Sequence, residues 1–210
     1  VALTLFPAND FADLAKNRIF TAGADGWLVP TRTNVLLERI PVWRSRFVIE
    51  AIYNDLRHNK KHNDKLYRFL LCDPCDTDIP LNSASPVSQS KIALMRAVLR
   101  EYRDTLQTHK IPFHAVIIPS FEAIIKPDFF AQKGVTGEAM FANETWAELI
   151  CREEGIDCIN MTPRFRAWPD PIELFDSKEH HLSPRGYAEV AEALHEMMQA
   201  RKTHVSNITP

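Results

Sequence analysis

Glycine is scarce in this chain, at 6 of 210 residues, while proline reaches 14. That balance excludes a collagen-like or glycine-rich low-complexity chain. No apolar run approaches the roughly 20 residues that cross a bilayer, so no membrane span is expected within these residues. A dominant charge of one sign is also lacking: 25 Lys and Arg face 27 Asp and Glu, a formal net charge of −2. Nothing in that balance offers an electrostatic footprint for nucleic acid or an anionic surface. Only four cysteines occur. Cys72 and Cys75 form a lone C-x-x-C without the second pair, or the His pair, that a zinc site needs. Cys151 and Cys158 fall on a helix pattern and a strand pattern, where buried thiols are common. What remains is 45% hydrophobic and 25% charged. That is an ordinary globular composition, long enough for one domain with a sizeable core.

Residues 1–6 are short, apolar and stopped by Pro7, which predicts a buried strand of a parallel sheet. A chain opening on such a strand is expected to begin inside a domain. A long excursion over about 14–86 follows, with turn chemistry at Gly23-Ala24-Asp25-Gly26, a helix expected over 42–55 and a basic, exposed run over 57–65. Residues 80–86 read as loop. Apolar spacing predicts a helix over about 87–108, with Leu94, Met95, Val98, Leu99, Tyr102 and Leu106 on its core side. A second strand is expected over 113–118, a helix over 137–154 stopped by Gly155, and a third strand over 156–160. Ser183 as N-cap and Pro184 at the first helical position open a last helix. Its core stripe is expected to be Tyr187, Val190, Ala191, Leu194 and Met198.

Strands alternating with helices in this order predict a doubly wound α/β fold with a parallel sheet flanked by helices. Ligands of such sheets gather at the carboxyl ends of the strands. Pro7-Ala8-Asn9-Asp10 and Pro119-Ser120-Phe121-Glu122 leave strands at that rim. The segment 176–182 must return to the same rim before the last helix can run back down the sheet. An amide, Asn9, and an imidazole, His181, are thus expected to meet there. A carboxylate-oriented imidazole is the general-base half of a nucleophilic triad, and a side-chain amide can donate to a developing oxyanion.

Leu5-Phe6-Pro7-Ala8-Asn9-Asp10-Phe11 resembles the third sequence block of the SGNH (GDSL-type) hydrolases, in which an Asn supplies an oxyanion donor. His181-Leu182-Ser183-Pro184-Arg185-Gly186-Tyr187, followed by an amphipathic helix, resembles the last block of that family, whose His is the base. The segments Val116-Ile117-Ile118-Pro119-Ser120 and Gly155-Ile156-Asp157-Cys158-Ile159-Asn160 are similar to the strands between those blocks. The resemblance covers nearly the whole chain and implies a flavodoxin-like sheet, of which three of five core strands are expected here. It also implies acyl-ester chemistry that needs no metal or organic cofactor.

Three departures qualify it. Pro7 stands where the family has Gly. Lys178 stands where the family's acid precedes its His by three residues, so the orienting carboxylate is expected to be Asp176, which can reach the far ring nitrogen if the turn loops out, or else Glu179, or to be absent. No Gly-Asp-Ser is present, so the nucleophilic Ser is expected on a segment preceding Val1, and Ser120 reads as a loop hydroxyl. The chain on its own is then expected to be inactive. The whole chain, 1–210, reads as one such domain with the insertion at about 14–86, whose aromatics Trp27, Trp43, Phe47, Tyr53 and Tyr67 pack on the core or shape a pocket. Its expected partner is a small-molecule or carbohydrate ester. Acyl transfer to a carbohydrate hydroxyl, and a non-catalytic binding domain of the same fold, are the alternatives.

Overall fold

The computed structural model describes residues 1–17, 20–30, 77–178 and 180–206. The expected helix over 42–55, the basic run, Cys72, Cys75, Trp43, Phe47, Tyr53, Tyr67 and Glu179 lie outside the described residues.

Three short parallel strands form the sheet: β1 (Ala2–Leu5), β4 (His114–Ile117) and β5 (Asp157–Asn160), in the order β1-β4-β5. All four residues of the central strand are buried, Ala115, Val116 and Ile117 as expected for apolar residues covered on both faces and His114 with them. Because side chains alternate across a strand, Ala115 and Ile117 enter one core with Leu5, while Val116 and Ile118 enter another. Helices α1 (Pro7–Asn17), α3 (Pro86–Thr108) and α6 (Ala142–Glu153) cover the first face, contributing Phe11, Leu99 and Ile150. The opposite face is covered by α7 (Thr162–Arg166) and α8 (Pro184–Ser206), through Phe165 and Ala193. The result is a mixed α/β arrangement with helices on both faces of a parallel sheet.

β1 departs from the expectation of full burial. Leu5 is buried and Leu3 half-buried, but Ala2 and Thr4 are exposed. Among the described strands only β4 pairs with it, so it alternates as an edge strand does. Residues 23–26 make the expected turn of a hairpin between β2 (Phe20–Ala22) and β3 (Leu28–Pro30). Trp27 lies under the Arg100 guanidinium of α3, 5.5 Å from its ring centre, so it packs the hairpin on the helical layer. Within 80–86, residues Pro80 to Asn82 belong instead to a short helix, α2 (Asp78–Asn82), because Ile79 inserts into the core.

The ends of α3 and α6 follow local chemistry. Ser85 accepts the Ser88 N–H at the start of α3, and Pro86 occupies its first position. Gly155 adopts φ +65 after α6, while the Ile156 N–H reaches the Cys151 carbonyl. This reversal delivers Ile156 to β5. Two short helices, α4 (Phe121–Ile125) and α5 (Pro127–Ala131), link β4 to the segment leading into α6.

Two stripes differ from the expected ones. Tyr102 is exposed on α3, beyond the core-facing Met95 and Leu99. On α8 the buried face runs through Gly186, Glu189 and Ala193, with Val190 and Leu194 half-buried, leaving Tyr187, Ala191 and Met198 exposed. Glu189 faces inward because Arg164 of α7 (3.2 Å from Nε) and Arg185 (3.2 Å from Nη2) pair with it.

A second charged cluster joins α3 to the α6–β5 turn. Arg100 donates to both carboxylate oxygens of Glu154, at 3.0 and 2.7 Å, and Arg103 donates to Oε2 at 2.9 Å. The Arg100 hydrogen bond is the main cause holding the Glu154 carboxyl below its ordinary range. Replacing Glu154 by Gln is therefore expected to cost about 2 kcal/mol at pH 7, since two half-buried guanidiniums lose their counter-charge. The contribution is present above the ordinary carboxylate value and is lost as pH falls through the lowered one, so chemical denaturation at pH 7 and pH 3 should show the gap between wild type and variant closing in acid.

Candidate functional site

A cavity of about 400 Å³ opens at the carboxyl ends of β1 and β4. Three segments build it. The first runs from the end of β1 into the start of α1 and contributes Phe6 and then Asn9, Asp10 and Asp13. The second is the segment after β4, from Pro119 into the first turn of α4 at Glu122, and the third is the turn bearing His180 and His181. The rim convergence expected from topology is thus found, with Asn9 and His181 lining one cavity although they lie near opposite ends of the chain.

Asn9 is not in a loop. Helix α1 begins at Pro7, so Asn9 sits in its first turn, exposed, with its backbone N–H on the Phe6 carbonyl. The Asp10 side chain reaches back to accept the Phe6 N–H at 2.7 Å, fixing the strand-to-helix corner.

The histidine turn is tied closed at both ends. The Asp176 N–H donates to the His181 carbonyl and the His180 N–H to the Asp176 carbonyl, each at 2.8 Å. Phe175 and Leu182 form an antiparallel bridge below it. Ser183 then caps α8 by accepting the Gly186 N–H at 3.1 Å, and its hydroxyl donates to the Glu173 carbonyl. Gly186 is required by space: a Cβ there would stand 2.2 Å from the Leu174 carbonyl oxygen.

Within the turn, Asp176 Oδ1 accepts the Lys178 N–H at 2.8 Å, and its backbone holds both histidines. The carboxylate that meets an imidazole comes from elsewhere. Glu122, buried in the first turn of α4, places Oε1 2.8 Å from Nδ1 of His180. The His180 ring also stacks on Phe121, with centres 4.2 Å apart and planes at 16°. His181 lines the cavity from the adjoining position and is exposed.

Comparison with known family models, curated proteins and solved structures finds no match. Among the described residues, no group of three or more His, Cys, Asp or Glu is arranged to hold a metal ion, and no helix is long and apolar enough to cross a membrane. Neither Glu122 nor His180 was singled out from the sequence as the pair it forms. Glu122 reads there as an ordinary acidic residue in a helix's first turn, and its partner is 58 residues away. The one available signal is Lys178 at the expected acid position, which in the sequence points to Asp176 or Glu179 of the same turn.

Burial perturbs two acids around the site. Desolvation pushes the Asp10 carboxyl up to about 6, against the lowering effect of the Phe6 N–H, and the nearby Asp13 raises it further. Glu144 of α6 is almost wholly buried beneath the Pro119–Ser120 loop, where its Oε1 accepts the Ser120 N–H at 3.4 Å. Burial raises its carboxyl to about 7.

Folded protein holds the Glu144 proton more tightly than unfolded chain. Stability is therefore undiminished below the ordinary value of 4.5 and declines until pH exceeds about 7. Urea denaturation between pH 5 and 8 should show this decline, and Glu144→Gln should flatten it by on the order of 2 kcal/mol. An unchanged slope would place the proton elsewhere. Gly186→Ala is expected to lower stability by about 2–3 kcal/mol, through forced separation of α8 from Leu174, and to broaden the amide resonances of residues 176–182.

Proposed function

We propose that this cavity carries out acyl-group chemistry on an ester, in the manner of the SGNH hydrolases. In this reading the three described strands are part of a flavodoxin-like sheet. The observation that carries it is the shared cavity of Asn9 with the imidazoles of His180 and His181 at the carboxyl end of the sheet.

The chemistry follows from those groups. A hydroxyl oxygen attacks the ester carbonyl while an imidazole takes its proton. The carbonyl electron pair becomes an oxyanion, to which the Asn9 side-chain amide donates. Collapse breaks the bond to the alcohol, which leaves with the imidazolium proton. Water, or a carbohydrate hydroxyl in the transferase version, then repeats the sequence on the acyl intermediate.

The resemblance assigns the base to His181 and the nucleophile to a Gly-Asp-Ser block upstream of the Asn block. Ser120 is the one hydroxyl among the described residues lining the cavity, and its Oγ caps α4 by accepting the Ala123 N–H at 3.1 Å. The cavity wall adds Phe6, Ile118, Phe175 and Leu182, apolar surface suited to a short acyl chain.

Turnover of p-nitrophenyl acetate and of acetylated sugars, measured on the protein from the complete gene, tests the reading. Asn9→Ala should lower kcat by about 10²-fold or more, as loss of an oxyanion donor does. Replacing both His180 and His181 by Ala should leave only about 10⁻³ or less of the activity. Absence of ester turnover, or full activity in the doubly substituted protein, would contradict the proposal.

A further inference from the structure

We propose that His180, oriented by Glu122, is the working base of this cavity, with Glu122 as its positioning residue. The inference rests on the acyl-transfer reading above and departs from the assignment to His181 and Asp176.

Three independent observations point to the pair. The first is the contact: Nδ1 of His180 lies 2.8 Å from Oε1 of Glu122, and Glu122 is only 8% exposed. With the carboxylate ionised, Nδ1 is the donor, so the neutral ring keeps its lone pair on Nε2, at the edge away from Glu122. The second is ring confinement. Phe121 stacks on the imidazole, and Phe175 meets Phe121 edge-on at 5.5 Å, so the stacking surface is itself held in the core. A ring fixed by a hydrogen bond and a stack loses little orientational freedom when a proton arrives. The third is the backbone. His180 has φ +58, a left-handed conformation that a non-glycine residue rarely adopts, sustained by the closed turn around it. That conformation presents the ring to the loop after β4.

Asp176, by contrast, serves the turn. Its Oδ1 accepts the Lys178 N–H, and its backbone groups bond to His180 and His181. The carboxylate missing from position 178 is thus replaced across space by one from α4.

In the reaction, Nε2 of His180 takes the proton of the attacking hydroxyl as the new C–O bond forms. The resulting imidazolium is stabilised by Glu122 at Nδ1, and the Nε2 proton passes to the departing alkoxide as the ester C–O bond breaks. Glu122 stays ionised throughout.

Kinetics of the complete protein with p-nitrophenyl acetate separate this inference from the broader reading. His180→Ala should lower kcat at least 10³-fold, and Glu122→Gln at least 10²-fold with KM changed less than threefold, circular dichroism being unaltered. Wild-type kcat in both, with activity lost in His181→Ala, would overturn the pair and leave acyl chemistry standing. No turnover in the wild type would instead remove the acyl reading and this pair with it. A measurement that needs no variant guards against misfolding. Diethyl pyrocarbonate should ethoxycarbonylate His180, releasing ethanol and carbon dioxide, at least tenfold faster than the exposed His109, as read by peptide mass spectrometry. Equal rates would overturn the pair.

Discussion

The close approach of α8 to the Leu174 carbonyl is the constraint on which the site depends. Only a residue without Cβ fits at Gly186, and the Ser183 N–H bonds to the same Leu174 carbonyl at 3.0 Å. With the start of the helix held there, the chain between Phe175 and Leu182 has room only for a tight turn, and that turn carries both histidines. Moving the start of α8 would move the imidazoles. The Ser-Pro-x-Gly sequence is therefore a positioning device: a cap, a preset φ and a missing side chain act at one corner.

Sheet geometry completes the arrangement. β1 and β4 run parallel, so their carboxyl ends emerge side by side, and each feeds directly into a helix. Asn9 belongs to one of those helices and Glu122 to the other. Among the described residues lining the cavity there is no Lys or Arg, while Asp10, Asp13 and Glu122 contribute acids. A neutral ligand suits that lining better than an anionic one. Burial raises the Asp10 carboxyl in this lining and the Glu144 carboxyl beneath the loop after β4.

Much of this fold was legible because its signals are local. Pro7 stops a strand, Gly155 reverses a helix end, and Ser183-Pro184 opens one, each through chemistry confined to a few residues. The parallel α/β class followed from the order of elements, and the meeting of Asn9 with His181 followed from topology. What failed was non-local. The face of α8 was displaced because Glu189, polar in sequence, turns inward to meet Arg164 and Arg185. The partner of His180 lies on α4, and no spacing rule connects the two. Tyr102 fits the helical period of α3 but lies beyond the reach of the sheet.

The most direct test of the account is the protonation pattern of one ring. Long-range ¹H–¹⁵N correlation spectra of the chain, with His180 assigned by its loss in His180→Gln, report which imidazole nitrogen carries the proton in the neutral form. The account expects Nδ1–H, with Nε2 unprotonated, and loss of that preference in Glu122→Ala. A neutral ring protonated at Nε2, or a spectrum indifferent to residue 122, would contradict it.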